Sequence, residues 1–190
     1  MTKVKICGLT SEQAIDAAAS AGVDYIGFNF FAKSPRFAHP ARARELAEYT
    51  PTGITKVGLV VDVDNEFLED LIKSVPLDVL QLHGSESAER VSEVKERFGL
   101  PVIKAIGIAT KDDLQKIETY GDVADQLLVD AKAPKGSELP GGNGLPFDWE
   151  LIKSISWPKP WMLAGGLNPE NVALAVQSTG ALQVDTASGV

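Results

Sequence analysis

The sequence predicts an α/β fold, a parallel eight-stranded (β/α)8 TIM barrel, on three observations. Short β-branched or apolar runs recur along its 190 residues, and eight of them qualify as strands. Nearly every run is followed by a segment with helical spacing. No tight hairpin turn joins two runs, so crossover helices must connect strands that lie parallel. Eight such units close a barrel, whereas five or six would leave an open doubly wound sheet.

The strand candidates share a composition rich in Val, Ile and Leu, which is typical of strands buried on both faces. In chain order they are Val4–Cys7, Tyr25–Phe30, Lys56–Val61, Val79–His83, Val102–Ile106, Gln126–Asp130, Trp161–Ala164 and Ala181–Asp185.

The helix candidates lie between these strands. The first begins at a Ser or Thr cap ahead of Glu12 and continues in alanine, a strong helix former. In chain order the helices are Ser11–Ala21, Ala41–Glu48, Asn65–Ser74, Ser87–Phe98, Lys111–Thr119, Asp148–Ser154 and Pro169–Ser178. The capping residues expected at helix starts are Asp64, Ser85, Thr110 and Asn168, and the glycines expected at helix ends are Gly22 and Gly99.

The end of the chain and one long loop depart from a regular alternation. No helical pattern follows the eighth strand before Val190, so we expect either a barrel without its last helix or a chain shorter than the natural protein. The longest irregular segment, Ala131–Phe147, follows strand six on the face where such barrels carry their active sites. We expect one domain over residues 1–190.

Composition excludes several classes of protein. The net charge is −8 and the Lys and Arg residues are scattered, which argues against a nucleic-acid partner. No apolar stretch approaches the roughly 20 residues that a membrane span needs. The single cysteine cannot form an intramolecular disulfide and suits a reducing cytoplasm. These features predict a soluble cytoplasmic protein with no membrane partner; they leave a monomer or a homodimer open.

Polar residues end several strands on the same face. Side chains two residues apart share a face, so Lys5 aligns with Cys7, Gln81 with His83, Gln126 and Leu128 with Asp130, and Gln183 with Asp185. Four strands would therefore deliver Cys7, His83, Asp130 and Asp185 to one mouth of the barrel. Each has a simpler structural explanation: a buried cysteine as a small hydrophobe, an aspartate as a loop cap, a histidine as a hydrogen-bonded core residue.

Other loop residues indicate an anionic ligand. Arg36, after strand two, is by default a solvated charge, but a guanidinium can also clamp a carboxylate. Glycines follow strands seven and eight, at Gly165-Gly166 and at Ser188-Gly189, where barrel enzymes commonly bind phosphate; two ordinary turns would look the same. The chain contains no P-loop, no dinucleotide fingerprint and no recognisable metal-ligand spacing, so we expect neither a metal nor a cofactor.

Six sequence blocks, in order over essentially the whole chain, resemble the phosphoribosylanthranilate isomerase family. They are Lys5–Thr10, Ser34–Arg36, Gln81–Gly84, Gly141–Gly144 leading to Phe147–Trp149, Leu163–Val172, and Asp185–Val190.

The resemblance implies a tryptophan-pathway barrel that performs an Amadori rearrangement without a metal or organic cofactor. It places the general base at Cys7 and the general acid at Asp130, with Arg36 facing the anthranilate carboxylate. It further implies substrate contacts at His83 and Asp185, and phosphate contacts at Gly166, Ser188 and Gly189. Our hypothesis is that the apolar strand around Asp130 keeps its carboxyl protonated. Nearby cations such as Lys5 would favour the Cys7 thiolate.

The chain departs from the family pattern at Asn143, where Thr or Ser is usual, and at Ala187, where Ser is usual. The family also continues past Val190 with a glutamate and a last helix. Two alternatives stay open: a non-catalytic or truncated phosphosugar-binding barrel, and another phosphosugar barrel enzyme such as indoleglycerol-phosphate synthase. The latter would need a lysine at a strand end, for which Lys104 is the candidate.

Overall fold

The computed structural model describes residues 1–132 and 148–189, which form a closed barrel of eight parallel strands. The strands follow one another around the barrel in chain order, and β8 pairs with β1 to close it. Their bounds are β1 Lys3–Cys7, β2 Tyr25–Asn29, β3 Thr55–Val60, β4 Val79–Leu82, β5 Val102–Ile108, β6 Gln126–Ala131, β7 Trp161–Leu163 and β8 Gln183–Thr186. The predicted fold class is confirmed.

Helices connect the strands on the outside of the barrel. Their bounds are α1 Glu12–Ser20, α2 Pro40–Tyr49, α3 Asn65–Ser74, α4 Ala88–Phe98, α5 Gln115–Gly121 and α6 Val172–Thr179. Two 3-10 helices, Lys111–Leu114 and Trp149–Leu151, supplement them. Across the described ranges, no helix is long and apolar enough to cross a membrane.

The predicted helix over Asp148–Ser154 is wrong, because only a single 3-10 turn forms there. The Asp148 side chain accepts a hydrogen bond from the Glu150 N–H, two residues on, which makes a tight turn. A segment this short does not offset the cost of helix nucleation, and Pro158 prevents it from growing.

Two predicted helix caps also lie elsewhere. Ser87 caps α4, whereas the Ser85 hydroxyl and N–H both donate to the Asp62 carboxylate. Helix α6 begins after Asn171 and not after Asn168. The Asn168 side-chain oxygen Oδ1 instead accepts from the N–H groups of Glu170 and Asn171, in the turn before the helix. In each case a capping side chain found a nearer backbone or carboxylate partner.

The core has two layers, as strand alternation predicts. The outer layer lies between the strands and the helices and includes Leu80, Leu82 and Val129. The inside of the barrel holds a smaller cluster, composed of Val57, Ile103, Ala105, Leu128, Met162 and Ala164. The side chains that end the strands on this inner face therefore project into the mouth at the carboxyl ends of the strands.

Part of the predicted long loop lies outside the described residues. Ala131 belongs to β6. The glycine-rich Gly141–Gly144 block, including Asn143, falls within the undescribed range 133–147. After β8, the described residues 187–189 form a turn.

Candidate active site

A cavity opens at the carboxyl ends of the strands, and it contains most of the residues selected from the sequence. The end of every strand except β5 contributes to its wall, and polar groups on one side face apolar groups on the other. The lining residues are Cys7, Asn29, Phe31, Ser34, Arg36, Leu59, Val61, His83, Asp130, Ala164, Gly165, Gly166, Leu167, Asp185, Thr186, Ala187 and Ser188.

Cys7 lies beside a buried ion pair. The Lys5 ammonium, fully buried, donates to Asp185 Oδ1 at 2.7 Å. Burial raises the pKa of the Cys7 thiol, the Lys5 ammonium opposes that rise, and the Asp185 carboxylate adds to it. Burial tends to lower the pKa of Lys5, but attraction to and hydrogen bonding with Asp185 and Cys7 together outweigh it and raise the pKa. Lys5 is thus a permanent cation next to the one thiol of the chain.

Gly27 on β2 makes room for that thiol. It pairs with Cys7 in the strand register, and a Cβ at this position would lie 2.8 Å from Cys7 Sγ. Any larger residue would push the thiol out of its place. This requirement was not recognised from the sequence, because a glycine within a strand has several possible reasons.

Asp130 is the penultimate residue of β6 and is buried. Its Oδ1 accepts from the Ala131 N–H at 2.7 Å, and its Oδ2 lies 3.4 Å from His83 Nε2. His83 Nδ1 in turn lies 2.8 Å from Gln81 Nε2, an amide fully buried inside the barrel. The three side chains therefore form a chain of contacts from the barrel interior to the cavity.

Arg36 is held over the cavity by the loop after β2. The Ser34 hydroxyl accepts from the Arg36 N–H at 3.1 Å and from Asn29 Nδ2 at 3.0 Å. Gly8, with φ of +83°, leaves space for the arginine stem, since a Cβ there would lie 2.6 Å from Arg36 Cδ. Sequence reasoning missed Asn29 and Ser34, whose role depends on contacts that no spacing shows.

The predicted phosphate loops meet at the other side of the cavity. Gly165 and Gly166 have φ of +90° and +62°, conformations that few residues other than glycine adopt. Asn171 Nδ2 donates to the Gly166 carbonyl, which fixes this loop to the start of α6. Ser188 lines the cavity beside them. Gly189 does not line the cavity and packs against the Leu167 carbonyl instead. A Cβ at this position would collide with that oxygen, so the loop requires a glycine here.

Lys104, the lysine that the alternative enzyme would need, is held on the outer side of the strand wall. Its strand neighbour Leu82 belongs to the outer core layer. The Lys104 ammonium donates to Glu86 at 2.9 Å and to three backbone carbonyls. An amine with this many partners has no free proton or lone pair to offer a substrate.

A metal centre has no obvious ligand set here. Within residues 1–132 and 148–189, no three His, Cys, Asp or Glu side chains are grouped so as to hold an ion.

Comparisons with known proteins agree with this geometry. Residues 4–190 match the model of the protein family described as N-(5′-phosphoribosyl)anthranilate (PRA) isomerase. The N-(5′-phosphoribosyl)anthranilate isomerase of Ruegeria sp. (strain TM1040) is 58% identical over 189 residues, a match that covers 99% of this chain and 88% of the relative.

Solved structures show the same likeness. The crystal structure of phosphoribosyl anthranilate isomerase from Thermotoga maritima has a TM-score of 0.89 and 35% identity, covering 100% of this chain and 89% of that one. A second isomerase structure, in complex with reduced 1-(o-carboxyphenylamino)-1-deoxyribulose 5-phosphate, has a TM-score of 0.84 and 32% identity. The match covers 100% of this chain and 89% of the chain in that structure.

Proposed function

The chain belongs to the N-(5′-phosphoribosyl)anthranilate isomerase family, and we propose that Cys7 is its general base and Asp130 its general acid. The protein is an aldose-ketose isomerase of tryptophan biosynthesis. It converts N-(5′-phosphoribosyl)anthranilate into 1-(2-carboxyphenylamino)-1-deoxyribulose 5-phosphate. The observation that carries the two assignments is the meeting of a thiol and a carboxyl in one cavity, on strands β1 and β6.

The first step opens the ribose ring. A protonated Asp130 gives its proton to the ring oxygen as the C1–O bond breaks, and the nitrogen lone pair forms an iminium at C1. The Ala131 N–H and His83 hold the carboxyl in place during this transfer.

In the second step a proton leaves C2. The Cys7 thiolate takes it, and the C–H electrons form the C1=C2 bond while the nitrogen recovers its lone pair. The enolamine then relaxes: its C2 hydroxyl loses a proton, C1 gains one, and the ketone forms. Lys5 supports this step because its positive charge favours the thiolate.

Binding of the substrate is assigned to the groups around these two residues. Arg36 would pair with the anthranilate carboxylate, a bidentate match that suits a guanidinium. Phe31, Leu59 and Val61 offer an apolar side for the aromatic ring. The N–H groups of the loops at Gly166 and Ser188 would bind the phosphate, with Gly189 shaping the second loop. His83 and Asp185 would contact the sugar.

A cytoplasmic location is part of the proposal. Its support is the single buried cysteine, which must stay reduced to act as a base.

The test is the loss of substrate fluorescence with purified wild type, Cys7→Ser and Asp130→Asn proteins. Each substitution is nearly isosteric and removes one proton-transfer group, so we expect kcat to fall by about 100-fold or more with a small change in KM. Asp70→Asn, which removes an exposed carboxylate on α3, is the matched control and should keep full activity.

Circular dichroism of all four proteins separates a lost group from a lost fold. A folded Cys7→Ser protein with near wild-type kcat would remove the base assignment, and the same result for Asp130→Asn would remove the acid assignment. A wild type that folds but does not turn over would leave a barrel that binds the phosphosugar without reacting.

A further inference from the structure

Gln81 is buried in the barrel and does not line the cavity. Its side chain is fully inaccessible to solvent, and its Oε1 has no hydrogen-bond partner within the described residues. A buried amide oxygen without a partner is costly, so an apolar side chain would be favoured there if packing were the only requirement. The other end of the amide, Nε2, lies 2.8 Å from His83 Nδ1.

The orientation of the Gln81 amide, with Nε2 toward the ring, bears on where the histidine carries its proton. An amide N–H can only donate, so the ring nitrogen that faces it must accept and therefore carries no proton. The proton of a neutral imidazole then sits on Nε2, the nitrogen that faces Asp130 Oδ2 at 3.4 Å.

We propose that Gln81 is a positioning residue that keeps His83 neutral and protonated on Nε2, so that His83 can donate to Asp130 but cannot accept its proton. The proposal rests on the assignment of Asp130 as the general acid. Two consequences follow for the reaction. Asp130 does not face an imidazolium, which would hold it as a carboxylate and leave it without a proton to give. The proton of Asp130 also has no acceptor on the histidine, so it is directed into the cavity, toward the substrate.

The other groups around His83 and Asp130 already have partners of their own. The second oxygen of Asp130 is occupied by the Ala131 N–H at 2.7 Å. The nearby anion, Asp185, is paired with Lys5 at 2.7 Å, so its charge is already balanced. Among the described residues, Gln81 is therefore the group that determines whether His83 Nδ1 carries a proton.

The experiment is nuclear magnetic resonance of the full chain with isotope-labelled histidine, which reports the proton on each ring nitrogen directly. The chain has two histidines, and the exposed His39 can be removed as His39→Gln to assign the signals. In wild type at neutral pH we expect His83 to show a protonated Nε2 and a bare Nδ1. A proton on Nδ1, alone or together with one on Nε2, would overturn the proposal.

Two substitutions extend the test. Gln81→Glu presents an acceptor to Nδ1, so we expect that nitrogen to gain a proton and kcat to fall about 10-fold or more, with KM changed less than about twofold. Gln81→Met keeps the volume and removes the donor, so the bias toward the Nε2 form should weaken and kcat should also fall. A Gln81→Glu protein that keeps the wild-type histidine signals and kcat would contradict the proposal.

The matched control is Gln126→Met, a second amide on the inner face, which donates to Gln183 at 3.2 Å. It should leave the His83 signals and kcat unchanged. The histidine signals are measured without substrate, so they do not depend on which residue is the general acid. An active Asp130→Asn enzyme would therefore remove the acid assignment, whereas the NMR spectra would still show whether Gln81 sets the protonation of His83.

Discussion

At the scale of single residues, the state of the Cys7 thiol follows first from its burial and then mainly from the charges of two neighbours, Lys5 and Asp185. Burial raises its pKa, the Lys5 cation opposes this, and the Asp185 anion reinforces it. The thiol is therefore mostly protonated at neutral pH, and the thiolate fraction should increase as the pH rises toward the raised value. We expect kcat/KM to increase over the same range.

The two neighbours provide a pair of variants with opposite expected results. Lys5→Met removes the opposing cation, so we expect the titration of Cys7 to move to higher pH by about one unit or more. Asp185→Asn removes the anion, so we expect it to move to lower pH. The ultraviolet absorbance of the thiolate measures this without ambiguity, because the chain has one cysteine. Shifts in the same direction in both variants would show that burial, and not charge, controls the thiol.

At the scale of elements, the turn from β5 into the following 3-10 helix depends on Asp113. Its side chain is 6% exposed and accepts from the Ala109 and Thr110 N–H groups and from the ammonium groups of Lys116 and Lys132. Burial opposes ionisation, but these hydrogen bonds outweigh it and hold the pKa of Asp113 far below its ordinary value.

A carboxylate with a lowered pKa stabilises the fold only while it is ionised. Its contribution is fully present above the unfolded-state pKa of about 3.9 and is lost as the pH falls through the lower folded-state value. We expect Asp113→Asn to reduce the free energy of unfolding by about 1–3 kcal/mol at pH near 7, and the difference from wild type to shrink in acid. Urea unfolding at several pH values measures it.

The neighbouring Asp112 is the control for this prediction, because it is exposed on the same turn. Asp112→Asn should leave the unfolding free energy nearly unchanged at every pH. A deficit in Asp113→Asn that stays constant into strong acid would mean that the turn depends on side-chain shape and not on charge.

At the scale of the whole molecule, the barrel wall separates the active site from an ion pair that serves the fold. Lys104 and Glu86 are buried together on the outer side of β5, 2.9 Å apart. Glu86 also accepts from the Asp62 and Gly84 N–H groups, which fixes the loop after β4.

Removing one partner of this pair should damage stability and spare catalysis. Lys104→Met leaves a buried carboxylate without its cation, so we expect a loss of about 3–5 kcal/mol in the free energy of unfolding. Under conditions where the variant is folded, kcat should stay within about threefold of wild type, since no proton transfer in the proposed mechanism involves this lysine. Adding Glu86→Gln should restore part of the stability. A stable Lys104→Met protein without activity would instead assign this lysine to the chemistry.

Several features could be predicted from the sequence because they depend on local rules. Regular alternation of apolar runs and helical segments indicates parallel strands, and the two-residue period of a strand assigned Cys7, His83, Asp130 and Asp185 to the inner face before any contact was known. Helix caps were predicted less well, since Ser85 and Asn168 each had a competing partner nearby.

Contacts that depend on closure of the barrel could be identified only in the folded chain. Lys5 meets Asp185 across 180 residues of chain, because β8 pairs with β1. Gly27 lies opposite Cys7 only in the register of β1 and β2, and His83 reaches Asp130 only across the mouth. The residue order alone therefore predicts which side chains face inward and at which end of the barrel they lie. The structure determined which of them touch, because distances between strands far apart in the chain follow from the register and curvature of the closed sheet.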